Sequence, residues 1–405
     1  MLFAVLLLLL APALSGCSRD TEITPPSPPG DTTGQRAAQA QETLDRLVGA
    51  LQARDPRAAS ALAPARSRRL LGELAGNARE LRVDRLSMRY VDEAAPLPAA
   101  DLARYGQDAW RATVQLTYGY AGYDSGPARL ETEVVLVPGG QGVQVARFGG
   151  GSVRSPLWLL EPLSVVRTGR TLVAVAGPSA GRYPGLVARA ARQVGRLLPA
   201  WRGPLLVEVP RTGAELTSVL HAEAGEYDNI AAVTTTADGS QRRTAPVRVF
   251  VNPAVFEDLK ERGAQVVMSH EATHVATGAT FVSMPTWLLE GFADFVALDD
   301  AGVPVQLAAR QILSRIRTDG LPTRLPTADD LDPTANGLGA TYEEAWLACR
   351  FLAQEYGAQR LVRFYDSVSG GTPVQRAFRD VLGTSQAEFL TRWRGDLAGL
   401  AGVAG

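Results

Sequence analysis

The stretch Met268-Ser269-His270-Glu271-Ala272-Thr273-His274-Val275-Ala276 constrains this chain more than any other. Only three histidines occur in 405 residues, and two of them stand here four apart, with a glutamate beside the first. The spacing carries chemistry only on a helix. Val266, Val267, residues 269–273 and Val275 can continue one, and Gly278 supplies a stop. One helical turn then sets both imidazoles on the same face, where they can take two corners of a zinc tetrahedron. Glu271 lies next to His270 and can reach a water at such a metal from the side. Alone, the pair would equally be two histidines that happen to share this spacing.

The segment that follows narrows the choice. Met284-Pro285-Thr286-Trp287-Leu288-Leu289-Glu290-Gly291-Phe292-Ala293-Asp294-Phe295 reads as a second helix with Pro285 near its start. It carries Glu290, a natural third ligand, and Asp294 follows four residues later on the same face. A carboxylate there can accept the second ring N–H of a ligating histidine and so fix its tautomer and orientation. H-E-x-x-H followed by W-L-x-E-G-x-A-D resembles the gluzincin metallopeptidases, in particular their bacterial peptidase-MA-like branch. The resemblance implies zinc (Zn2+) held by His270, His274 and Glu290, with Glu271 as catalytic base in a peptidase acting on a peptide or protein substrate. The metzincin pattern would need H-x-x-G-x-x-H after the second histidine, and no third histidine stands there.

The chain is long enough for two domains with substantial cores. Its formal charge is −1, and no basic patch is interleaved with aromatics, so nucleic acid is unsupported as a partner. Residues 1–17 read as a targeting segment, with an apolar run at 2–10 too short to span a bilayer. Leu14-Ser15-Gly16-Cys17 resembles the bacterial lipobox, in which the cysteine becomes the lipidated N-terminus. No Lys or Arg precedes the apolar run, which departs from that pattern, and an ordinary secretory signal with a stray cysteine is the other reading. The lipobox implies an extracytoplasmic protein, anchored to the bacterial cell membrane through acyl chains at Cys17. Residues 18–34, with Pro25, Pro26, Pro28 and Pro29, form a polar tether. The other cysteine, Cys349, reads as core.

The fold class expected is α+β. Residues 35–160 read as an N-terminal α+β domain, with helices at 35–51 and 56–74 and strands at 81–91, 110–120, 128–137 and 142–147. Helices followed by a curved antiparallel sheet are similar to the NTF2-like cone. That likeness implies a pocket, but no residue marks a ligand, and a spacer or docking role is expected. Residues 167–400 read as a gluzincin-like metallopeptidase domain, a mixed sheet followed by the zinc helix and a helical C-terminal lobe. In gluzincins the strand just before the zinc helix is the sheet edge along which substrate pairs, which implies such an edge at 248–251. From the residues alone an ordinary central strand is equally readable.

Residues 304–317 read as one amphipathic helix and 318–339 as a long loop. Thr341-Tyr342-Glu343-Glu344 then has the form of a capping box, with Thr341 as cap and Glu344 reaching back. In aminopeptidase-like gluzincins a tyrosine at the start of a downstream helix donates to the oxyanion, and Tyr342 occupies the analogous place. Otherwise Tyr342 simply opens the apolar stripe of its helix. No G-x-M-E-N-like element, by which aminopeptidases of this clan anchor a substrate N-terminus, is present, which favours an endopeptidase. Two other classes compete: a zinc-containing domain that binds peptide or wall material without turnover, and a ligand-binding or scaffolding lipoprotein acting through residues 35–160.

Overall fold

Helix-forming runs come first in the chain and strand-forming runs follow, and the computed structural model keeps that order. It describes residues 32–140, 142–299, 301–332 and 335–404, so Cys17, the targeting segment and residues 18–31 of the tether lie outside the described part. Helix α1 spans Thr32–Gln52, α2 Pro56–Ala61 and α3 Arg68–Glu80. Asp55 caps α2 by accepting from the N–H groups of Arg57 and Ala58. The single helix expected over 56–74 is broken instead. Pro64 is extended, at φ −62° and ψ 154°, because its ring removes a donor and clashes inside a helix.

Strand β1 (Val83–Glu93), helix α4 (Ala99–Tyr105), and strands β2 (Trp110–Tyr120), β3 (Ala128–Gly139) and β4 (Gly142–Phe148) follow. The four strands form an antiparallel meander in chain order. Along β2 the alternate residues Ala112, Val114, Leu116, Tyr118 and Tyr120 are all buried in one core with Leu44 of α1 and Leu71 of α3. That is the period-two pattern of a strand with one face on a core.

The second sheet contains β5 (Leu163–Thr168), β6 (Thr171–Ala176), β7 (Leu205–Val209), β8 (Ala232–Thr236) and β9 (Val247–Val251). Helix α5 (Tyr183–Leu197) makes the crossover between the parallel strands β6 and β7, and α6 (Gly213–Leu220) follows β7. The strand order is β5-β6-β7-β9-β8. Strand β9 is therefore central, between β7 and β8, and the edge expected at 248–251 is displaced by one strand to β8. The cause is the β8–β9 hairpin, which folds β8 back antiparallel against the outside of β9.

Both faces of this sheet are buried. Val173, Val207, Val209, Val249 and Val251 point into the core shared with the helices that follow. Leu172, Ala174 and Leu206 point the other way and join the core of the N-terminal half, among Tyr118, Tyr120 and Trp158. At the same boundary Arg248 of β9, wholly buried, pairs with Glu208 of β7 at 2.5 Å and with Asp124 of the β2–β3 turn at 3.0 Å. Its guanidinium also lies 3.9 Å from the Tyr120 ring centroid. The turn itself packs backbone to backbone on the β8–β9 loop: a Cβ on Gly126 would come within 2.3 Å of the Thr244 carbonyl oxygen.

The remainder is helical: α7 (Pro253–Phe256), α8 (Glu261–Thr277), α9 (Thr286–Asp299), α10 (Val305–Ala308), α11 (Arg310–Asp319), α12 (Leu338–Tyr356), α13 (Ala358–Ser369), α14 (Val374–Ala377) and α15 (Gln386–Ala401). The helix expected over 304–317 is two pieces, parted at Ala309. Helix α8 ends where expected, with Gly278 in the left-handed conformation at φ 65°. Its residues Ala264, Met268 and Ala272, spaced by four, are fully buried. Helix α9 packs against α12 so closely that a Cβ on Gly291 would stand 2.3 Å from the Ala345 carbonyl oxygen.

The capping box expected at Thr341 and Glu344 is not formed. Helix α12 begins a turn earlier, at Leu338 after Gly337, because Leu338, Gly339 and Ala340 extend it upstream. Arg315 of α11 instead engages both side chains, donating to Thr341 Oγ1 at 3.3 Å and forming an ion pair with Glu344.

Candidate metal centre

Helix α8 sets His270 and His274 one turn apart, and their Nε2 atoms lie 2.9 Å from each other. Helix α9 brings Glu290 Oε2 to 3.2 Å from His270 Nε2 and 3.5 Å from His274 Nε2. A tetrahedral ion with bonds of ~2.0–2.1 Å separates its donor atoms by about 3.3 Å. The three observed separations bracket that value. The three ligand atoms gather around one shared space, within 4.8 Å of one another. Behind His270, Nδ1 is 2.7 Å from Asp294 Oδ1. A proton held there leaves the Nε2 lone pair directed at the centre. The residues therefore fit a divalent cation of the zinc type.

The electrostatics of the metal-free group agree. Burial opposes the His270 imidazolium, but Asp294 and Glu290 outweigh it and hold its pKa well above the ordinary histidine range. Burial likewise opposes the Glu290 carboxylate, yet His274 and His270 keep its pKa well below the usual carboxylate range. A negative site that holds a proton among its donors is one that a metal ion takes over by displacing that proton.

Glu271 is 7% exposed, and its Oε2 accepts a hydrogen bond of 2.6 Å from Thr234 Oγ1 of β8. Burial raises its pKa, with the two histidines and Thr234 pulling the other way. His270, Glu271, His274, Glu290 and Tyr342 all line one cleft of about 240 Å³, whose other wall comes from Ile230, Ala232 and Val233 beside Leu289. Tyr342 enters from the second turn of α12. Burial and the nearby Glu290, Asp294 and Glu271 raise its pKa, so the phenol keeps its proton at neutral pH.

The structure thus brings together every site residue expected from the sequence except Cys17, which is outside the described part. Thr234 was not expected, and its place among three consecutive threonines gives no sign of it. His221 is exposed at the left-handed end of α6 and does not line the cleft. Cys349 is fully buried against Gly291. A larger cavity of about 730 Å³ opens between α5 and the start of α8, but its rim of Arg189, Arg192, Arg196 and Arg262 contains none of these groups.

No protein-family model and no curated protein matches the chain. Among solved structures it is similar to an M1 zinc metallopeptidase from Deinococcus radiodurans, at 17% sequence identity and a TM-score of 0.34, over 72% of this chain and 62% of that one. A mutant M1 zinc metallopeptidase from the same organism, bound to a Tyr-Ser-Ala substrate, gives 17% identity and a TM-score of 0.34, over 71% and 61%. A two-domain M1 zinc metallopeptidase mutant bound to L-tryptophan gives 17% and 0.33, over 71% and 61%. The chain spans less than two thirds of the length of these structures.

Proposed function

We propose that the chain is a zinc-dependent peptidase that works outside the cytoplasmic membrane, anchored by lipid at Cys17. One observation carries the catalytic part of this reading: His270 Nε2, His274 Nε2 and Glu290 Oε2 converge within 4.8 Å of one another in the cleft that Glu271 and Tyr342 also line. Zinc bound by these three donors supplies Lewis acidity and lowers the pKa of a water toward ~7. Asp294 keeps the His270 ring turned inward, and Glu290 offsets part of the positive charge. Glu271, in the cleft beside the three donors, accepts the proton of the attacking water and delivers it to the leaving amine. The Tyr342 phenol donates to the oxyanion, an effect worth ~3 kcal/mol for one well-aimed donor.

The substrate lies extended along the unpaired flank of β8, which forms part of the cleft wall. The anchor reading rests on Leu14-Ser15-Gly16-Cys17. No described helix is long and apolar enough to cross a membrane. The NTF2-like reading of residues 35–160 rests on their order of helices and antiparallel strands, and a docking or bracing role is proposed for them.

The test is the metal content and peptide hydrolysis of the purified protein beside two variants. About one zinc per chain is expected, lost in His274→Ala. Glu271→Gln is expected to keep the zinc and lose hydrolysis by about 10²- to 10⁴-fold. Absence of zinc after reconstitution, or an unchanged rate in Glu271→Gln, sinks the reading; zinc with peptide binding but no turnover in the wild type would favour the binding-only class.

A further inference from the structure

Thr234 sits at the centre of β8, paired across the sheet with Val249 of β9. Its Oγ1 lies 2.6 Å from Glu271 Oε2 and 3.1 Å from the Glu271 backbone oxygen. A threonine hydroxyl has one proton to give. A separation of 2.6 Å to a carboxylate oxygen is that of a short, charge-assisted bond, so the proton belongs to Oε2. No other hydrogen bond to the Glu271 carboxylate is made among the described residues. One oxygen is tied to the sheet and Oε1 is left uncommitted. Freezing a glutamate side chain costs rotamer entropy. A base that must meet a proton at ~2.6–3.2 Å gains when that cost is already met before substrate arrives.

We infer that Thr234 is the positioning residue for the catalytic base: the edge strand holds Glu271 through the Thr234 Oγ1–Oε2 hydrogen bond and leaves Oε1 free to take the proton. The same strand contributes Ala232, Val233 and Thr234 to the cleft wall. A chain paired along β8 and the carboxylate that acts on it are therefore registered to one piece of backbone. This inference rests on the peptidase reading for its kinetic consequence, but the contact itself does not depend on it.

Two substitutions separate the hydroxyl from the shape of the side chain. Thr234→Val keeps the volume and the β-branch, and Thr234→Ser keeps the hydroxyl. In the zinc-loaded protein Thr234→Val should lower kcat by about 10- to 100-fold, with KM and zinc content within about twofold of wild type. Thr234→Ser should recover most of the loss, and in a Glu271→Gln background Thr234→Val should change nothing further. In a crystal structure of metal-free Thr234→Val, the Glu271 carboxyl should leave the position it holds beside β8. An undiminished kcat in folded, zinc-loaded Thr234→Val overturns the proposal, as does a Ser variant as slow as the Val variant, or a Glu271 side chain that stays in place. Should the wild type show no Glu271-dependent hydrolysis, the peptidase reading falls, and the Glu271 position in Thr234→Val alone decides this one.

Discussion

His270 commits both of its ring nitrogens, Nδ1 to Asp294 at 2.7 Å and Nε2 to the point shared with His274 and Glu290. Asp294 thus sets which nitrogen carries the proton and where the lone pair points. Asp294→Ala should weaken zinc binding by about 10- to 100-fold in a competition titration, and an unchanged affinity would remove Asp294 from the centre. These four residues were readable beforehand because a spacing of four on a helix fixes a shared face whatever the tertiary structure. Thr234 was not, because its partner lies on another element 37 residues away. Nothing in a run of three threonines says which hydroxyl meets a carboxylate. Tyr342 lies between the two cases: its helix was legible, but its approach to the cleft depends on how α12 packs on α9.

At the scale of elements, local signals succeeded where one residue decides the backbone and failed where two elements compete for a side chain. Gly278 ended α8 because left-handed backbone suits glycine. The Thr341–Glu344 pattern was a correct motif in the wrong place, since Arg315 claims both side chains and α12 starts at Leu338. Strand order was likewise invisible, because the hairpin that puts β8 outside β9 leaves the strand patterns themselves unchanged. The Arg315 contact has a pH signature. Burial pushes the Glu344 carboxyl up to about 7 against the pull of Arg315. A carboxyl whose pKa is higher folded than unfolded contributes stability at low pH and loses it as pH rises through the folded value. Glu344→Gln cannot ionise, so as pH rises from about 4.5 to about 7 it should gain on the wild type by up to about 3 kcal/mol and hold that gain at higher pH. Calorimetric Tm values across that range read this directly, and a difference that does not change with pH refutes it.

Over the whole molecule, the two halves legible in the sequence share a core that was not. Leu172, Ala174 and Leu206 of the second sheet are buried among N-terminal residues, and Arg248 joins the halves through Glu208 and Asp124. Periodicity shows that a strand is buried on both faces but not what covers each face. Arg248→Leu would leave two carboxylates buried without their cation, at a cost on the order of 3–5 kcal/mol. A calorimetric scan should show this as a lower Tm for one transition that includes both halves. Two separate transitions, or an unchanged Tm, would contradict a shared core. Strand β8 is the edge of the described sheet next to the cleft, and on the proposed peptidase reading an extended chain would pair there through main-chain N–H and C=O groups. Those groups are common to every sequence, so such an entrance admits by conformation before it admits by composition. On that reading folded proteins would be turned away and loosened ones let in, and a cleaved fragment that stays extended would go on competing with the next substrate for the same berth.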